Sequence, residues 1–192
     1  MKQLLQLLNR HSTPAKALID PAPDDEQLDQ ILKIAMSAPD HGRIQPYRFI
    51  TIRGDARYAL SKVFGDAVSR RDPEVSEAYL NKQKDKPLRS PLIVVVVASL
   101  IESEKIPQIE QMLSAGTAAH NILLASKAMG FGSIWLTGDN AYDSNVFEAL
   151  GLAANEKIIG FINLGTEKIK MRRRQNTDPK DRIFDWKSPV EK

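Results

Sequence analysis

The feature that most constrains the fold is an uninterrupted apolar run in residues 91–98. From Leu92 to Ala98 the run contains seven residues, and no polar residue alternates with them. A short continuous run of this kind is typical of a strand that is covered on both faces. It is far shorter than the ~20 residues that a membrane-spanning helix needs. We therefore predict a central strand between two layers of structure, and no membrane association.

The rest of the chain alternates between helical and strand patterns. Helices are predicted for residues 1–8, 24–39, 55–64, 104–129 and 144–150, and strands for residues 48–52, 133–136 and 157–164. Residues 74–85 are polar and are predicted to form an exposed helix or a cover segment. The order lacks the strict strand–helix–strand rhythm of a doubly wound fold, so we predict an α+β sandwich with helices around a small sheet. We predict a single domain, residues 1–192, with an extended basic tail from about residue 167.

The composition excludes several chemistries. The chain has no cysteine, which removes disulfides, thiolate nucleophiles, iron–sulfur clusters and cysteine zinc sites. His11, His41 and His120, the three histidines, are far apart in sequence. We therefore predict no metal site.

The positive charge is concentrated near the C-terminus. The net charge is +3, but residues 168–182 alone hold seven basic and two acidic residues. One alternative is a nucleic-acid-binding module that uses this segment. Aromatic residues do not alternate with its basic ones, which argues against such a module, and we predict no nucleic-acid partner.

The common catalytic motifs are absent from the sequence. It contains no Gly-x-Ser-x-Gly elbow, no phosphate-binding P-loop, no Gly-x-Gly-x-x-Gly and no His-Glu-x-x-His. A bound redox cofactor could carry a reaction and leave the protein to bind and orient the reactants.

Four polar clusters remain as candidate sites, in residues 9–13, 38–49, 130–138 and 160–166. Each has a structural explanation when it is taken alone. The first is a helix end, His41 in the second is a turn residue, Trp135 in the third packs in the core, and the basic residues after the fourth are a solvated tail. Taken together, the order and spacing of the four clusters along the chain favour a functional role for them.

Together the clusters resemble the nitroreductase family of flavin mononucleotide (FMN) enzymes, most closely its minimal, single-domain NAD(P)H nitroreductase branch. The resemblance extends from about residue 3 to about residue 175. The matching motifs are Arg10-His11-Ser12, Pro21-Ala22-Pro23, Ala38-Pro39-Asp40-His41, Gln45-Pro46-Tyr47, Ser114-Ala115-Gly116, Gly130-Phe131-Gly132, Ile134-Trp135, and Ile159-Gly160-Phe161 with Leu164-Gly165-Thr166.

The resemblance implies a mainly antiparallel sheet flanked by helices, in a homodimer of the domain-swapped type. It implies an oxidoreductase that passes hydride from NADH or NADPH through FMN to a small-molecule acceptor, such as a nitroaromatic or a quinone. Apart from the resemblance, no targeting or membrane-spanning segment is visible in the sequence, so we predict a cytoplasmic protein. The flavin itself would carry the chemistry, with no catalytic side chain.

The resemblance also assigns cofactor-binding residues. Arg10 and Ser12 would hold the phosphate and ribityl chain, and His11 would contact the ring. Ser37 and His41 would reach the flavin of the other subunit. The same subunit would contribute Trp135, Leu136, Thr137 and an arginine of the 172–174 group, namely Arg172 or Arg174. Residues 125–130 resemble the stretch that binds the nicotinamide cofactor.

Three positions depart from the family pattern. Ser37 and Leu136 stand where relatives often have arginine, and Tyr47 replaces tryptophan. Fewer cations near the cofactor would change flavin affinity or the preferred charge of the acceptor. A flavin-binding protein without efficient turnover is therefore an alternative.

Overall fold

The computed structural model describes residues 7–169 and 178–186, and these residues form one antiparallel sheet with helices on both faces. The strands are β1 (Leu18–Ile19), β2 (Tyr47–Arg53), β3 (Leu92–Ser99), β4 (Gly132–Leu136) and β5 (Glu156–Glu167). The α-helices are α1 (Asp25–Ala35), α2 (Ala56–Arg71), α3 (Glu77–Asp85), α4 (Gln108–Ala128) and α5 (Ser144–Ala149).

The long strand β5 organises the sheet. One of its edges pairs with β3, which in turn pairs with β2. Its other edge pairs first with β4 and then with the two-residue β1. All of these pairings are antiparallel, which confirms the predicted α+β class and its mainly antiparallel sheet.

The apolar run is the centre of the molecule, as predicted. All residues from Leu92 to Ala98 are buried. Leu92, Val94, Val96 and Ala98 belong to the core cluster with α1 and α4, whereas the residues between them pack against α2 and α5. The absence of alternation thus reflects two buried faces.

The predicted α1 begins where its sequence signal placed it. The Asp24 carboxylate accepts a hydrogen bond from the Gln27 backbone N–H at 2.8 Å, and the Gln27 side chain accepts one from the Asp24 N–H at 3.1 Å. This reciprocal capping box satisfies two of the free N–H groups at the helix start.

Several predicted boundaries are wrong. Helix α4 begins at Gln108 rather than residue 104, because the Ser103 hydroxyl accepts hydrogen bonds from two following N–H groups and Pro107 then starts the helix. Helix α2 continues to Arg71 rather than residue 64, since Ala67 and Val68 extend its buried face. Strand β1 was not predicted.

The two ends of the chain are described only in part. Leu7 and Leu8 are helical, and the remainder of the helix predicted for residues 1–8 lies outside the described residues. In the tail, Pro179–Arg182 forms a 3₁₀ turn with no buried residue. No helix of the described chain is long and apolar enough to cross a membrane.

Candidate active site

The predicted phosphate-binding segment lies along the edge of the sheet. The backbone N–H of Thr13 donates to the carbonyl oxygen of Ser133 on β4 at 3.0 Å. Residues 10–12 therefore lead directly to the strand whose other end contains Trp135 and Leu136. The fold brings together two groups of predicted site residues that are more than a hundred positions apart in sequence.

A compact polar cluster, defined here as the Glu167 cluster, fixes this segment. Glu167 Oε1 accepts the Thr13 hydroxyl at 2.5 Å and faces His11 Nε2 at 2.8 Å. Its other oxygen lies 3.5 Å from Lys127 Nζ on α4. Burial raises the pKa of the Glu167 carboxyl, but the hydrogen bonds from Thr13 and His11 and the charge of Lys127 hold it below its usual value overall.

His11 is fully engaged within this cluster. Its Nδ1 lies 3.0 Å from the carbonyl oxygen of Asn9, and its Nε2 faces the carboxylate. The contact of His11 with a flavin ring stays a prediction. In the described structure both of its ring nitrogens contact oxygen atoms of the protein.

Arg10 lies beside the C-terminal half of α4. Burial and the positive charge of Arg10 lower the pKa of His120 on that helix. Arg10 is half-buried, and within residues 7–169 and 178–186 no carboxylate pairs with it, whereas Ser12 is exposed. An arginine without an acidic partner is suited to binding a phosphate.

Trp135 and Leu136 point to opposite faces of the sheet, as neighbours in a strand must. The Trp135 indole N–H donates to the carbonyl oxygen of Ile159 at 3.1 Å. The indole lies so close to Gly160 that a Cβ there would come within 2.1 Å of Nε1. A glycine at this position of β5 is thus what allows the indole to lie against the strand.

On the other face, Leu136 and Thr137 line an apolar cavity of about 180 Å³. Its remaining lining residues are Phe64, Lys86, Pro87, Arg89, Ile93, Phe161 and Asn163. Larger clefts exist, up to about 760 Å³ beside Pro21 and Arg53, but that cleft contains none of the predicted site residues. The cavity beneath Leu136 is therefore the stronger candidate site.

Lys86 gives this cavity a positive charge. Burial lowers the pKa of its ammonium group, the charges of Arg89, Lys82 and Arg71 lower it further, and only Asp139 opposes them. No carboxylate of the described chain forms an ion pair with Lys86. The predictions from sequence missed this residue because it follows an exposed lysine-rich helix. The sequence offered one indication of its role, namely that Lys86 lies only six residues before the buried strand β3.

Ser37 and His41 lie in the segment between α1 and β2, and His41 contacts the start of α4. His41 Nδ1 is 2.6 Å from Glu110 Oε2 near the start of the helix, and the Ser37 hydroxyl donates to the carbonyl oxygen of Ile34. Glu110 and His120 are ten residues apart, which is about 15 Å along a helix. Within one chain, His41 and Arg10 are therefore on separate parts of the surface.

Comparison with known proteins now identifies the family. The model of the nitroreductase family matches residues 7–166. This chain belongs to the nitroreductase family. An Escherichia coli K12 protein named "Putative NAD(P)H nitroreductase YdjA" is 39% identical over 170 residues, which are 88% of this chain and 91% of that protein.

Solved structures of nitroreductases share the fold. A nitroreductase-like family protein from Bacillus cereus has a TM-score of 0.83 at 19% identity, covering 98% of this chain and 97% of its own. An FMN-dependent nitroreductase from Clostridium difficile R20291 has a TM-score of 0.66 at 21% identity, covering 96% and 98%. The predicted family and fold are confirmed.

Some predicted contacts of this nitroreductase are not tested by the structure. Arg172 and Arg174 lie outside the described residues. In the segment predicted to bind nicotinamide, Ala125 and Ser126 are buried in α4. The flavin contacts of residues 10–12, 37, 41 and 135–137 stay predictions.

Proposed function

We propose that this nitroreductase is an FMN-dependent oxidoreductase that transfers hydride from NADH or NADPH, through the flavin, to a small-molecule acceptor. Two observations support the cofactor: family membership, and a structural neighbour that is itself named FMN-dependent. The observation on this chain that carries the proposal is Lys86, an ammonium group without an acidic partner at an apolar cavity beside Leu136 and Thr137.

The residues present fit FMN. Arg10, without a carboxylate partner among the described residues, would bind the phosphate together with Ser12. The cavity walls Leu136, Thr137 and Phe161 would receive one end of the ring. Lys86 would place positive charge where the reduced flavin is anionic, which favours the reduced state. When bound, the flavin supplies the two-electron redox chemistry, and the chain binds and orients it.

The test is purification in the presence of FMN. We expect a yellow protein with one flavin per chain, absorbing between about 350 and 500 nm. Under anaerobic conditions NADH or NADPH should bleach this absorbance, and a nitroaromatic or a quinone should restore it. A protein that binds no added FMN would refute the proposal. A flavin that is bound but not bleached by either nucleotide would favour the alternative, a flavin-binding protein without efficient turnover.

We also propose that the chain forms a homodimer with shared sites, of the domain-swapped type, in the cytoplasm, where NAD(P)H is generated. An apolar patch surrounds the start of α4: Ile109 and Leu113 are 62% and 63% exposed, and Ile101 and Met36 lie at 45% and 39%. A second copy of the chain would cover these side chains. Ser37 and His41 border the patch, so this contact would carry them toward the flavin of the other subunit.

Sedimentation over a dilution series tests the dimer. Leu113→Lys should shift the chain toward monomer and weaken FMN binding, because a lysine cannot be buried without a partner. Tyr58→Lys is the matched control, since Tyr58 is 61% exposed on α2, away from the patch. If the monomer binds FMN as tightly as the dimer does, the shared site is wrong.

A further inference from the structure

The Glu167 cluster contains the only carboxylate that directly contacts the described segment 10–13, and no predicted flavin contact requires it. Glu167 is at the last position of β5, opposite Leu18 of β1. It reaches the segment because β4 has a glycine beside it. A Cβ on Gly132 would lie 2.5 Å from Glu167 Cγ and 3.1 Å from the Thr13 hydroxyl oxygen. The missing side chain at Gly132 thus leaves room for both Glu167 and Thr13 to lie against β4 and to contact each other.

We propose that Glu167 is a positioning residue that holds Arg10–Thr13 in the conformation that binds the cofactor phosphate, without itself touching the cofactor. The inference rests on the proposed FMN function. Thr13 is completely buried, and its hydroxyl and backbone N–H are tied to β5 and β4 respectively. His11 is tied to the same carboxylate oxygen, so the residues on both sides of Ser12 are fixed.

A competing electrostatic effect has the opposite sign. A carboxylate near a phosphate repels it, so removing the charge alone would raise FMN affinity. In the structure the Lys127 ammonium, 3.5 Å from Glu167 Oε2, offsets this charge. We therefore expect the loss of the hydrogen bonds to dominate, because the segment must then be ordered upon binding, which costs affinity.

The experiment compares FMN with riboflavin, which lacks the phosphate, by titrating their fluorescence with Glu167→Leu and Glu167→Gln. Leucine removes both acceptors, and we expect FMN affinity to fall at least about tenfold while riboflavin affinity changes by less than about threefold. The glutamine carbonyl still accepts from Thr13 and His11, so FMN affinity should stay within about threefold of wild type.

A second pair of variants tests the same contact without changing Glu167, in case the substitutions at Glu167 impair folding. Thr13→Val has almost the same shape but no hydroxyl, and it should weaken FMN binding several-fold. Thr13→Ser retains the hydroxyl and should bind FMN with nearly the wild-type affinity. In the cofactor-free protein, amide hydrogen exchange of residues 10–13 should be faster in Glu167→Leu and Thr13→Val than in wild type.

The outcomes separate the two levels of the hypothesis. If wild type binds neither FMN nor riboflavin, the proposed function fails, and this inference with it. If wild type binds FMN and Glu167→Leu binds it equally well or more tightly, the positioning role alone is overturned. Equal losses for FMN and riboflavin also overturn it, because they indicate general destabilisation rather than a fixed phosphate segment.

Discussion

Glu156→Gln is expected to cost stability in a strongly pH-dependent way. Glu156 begins β5 and is almost completely buried. Its oxygens accept two hydrogen bonds from Arg48, each at 2.7 Å, one from the Ser99 hydroxyl at 2.7 Å and one from the Ala153 N–H at 3.0 Å. The carboxylate thereby joins β2, β3 and the turn before β5.

The magnitude follows from the acidity of this carboxyl. The hydrogen bonds from Arg48 outweigh burial and lower the pKa of Glu156 from 4.5 to about 2. At about 1.4 kcal/mol per pKa unit, the ionised form contributes roughly 3 kcal/mol to the free energy of unfolding. Because the folded-state pKa is depressed, this contribution is complete above pH 4.5 and is lost as the pH falls through about 2.

Urea unfolding of wild type and Glu156→Gln checks this, at fixed protein and FMN concentrations. The difference in unfolding free energy should be about 3 kcal/mol at pH 7 and about half of that at pH 3. Glu148→Gln, on the exposed side of α5, is the control and should change stability by less than about 0.5 kcal/mol. An equal Glu156→Gln difference at pH 7 and pH 3 would refute the role of the charge.

Three further predictions concern the candidate site. Arg10→Ala should weaken FMN affinity by about ten- to a hundredfold in a fluorescence titration, since it removes a charge-assisted contact; an unchanged affinity would place the phosphate elsewhere. Lys86→Met should weaken binding of FMN and lower its reduction potential, whereas Lys33→Met, on the exposed surface of α1, should change neither; equal effects would exclude a local role for Lys86. Gly160→Ala should displace the Trp135 indole, cost about 1–3 kcal/mol in urea unfolding and shift the tryptophan emission; an unaltered spectrum and stability would contradict the close packing.

The sequence predicted the centre of the fold better than its edges. The run at residues 92–98 was placed correctly because burial on both faces leaves a local pattern. The start of α4 was not, since the Ser103 hydroxyl competes with the helix for backbone N–H groups. Strand β1 was missed because two residues carry no periodicity, and its pairing with β5 is a long-range event.

The same distinction applies to the site. Family motifs located residues 10–12 and 135–137, and the hydrogen bond between Thr13 and Ser133 now joins these regions. Lys86 and Glu167 were missed. Lys86 was singled out because no carboxylate forms an ion pair with it in the described chain. Glu167 was singled out because it contacts both Thr13 and His11. Neither property can be recognised from neighbours in the chain.

The separation of Arg10 and His41 along α4 has a consequence for mixtures of altered chains. If each flavin is held by Arg10 of one subunit and His41 of the other, chains carrying Arg10→Ala and chains carrying His41→Ala damage different halves of a site. Mixing equal amounts of the two and allowing subunits to exchange makes half of the dimers mixed. Each mixed dimer contains one intact site and one doubly altered site, so about a quarter of the wild-type sites should reappear. Two defective proteins would thus complement each other, as they could not if every chain built its site alone.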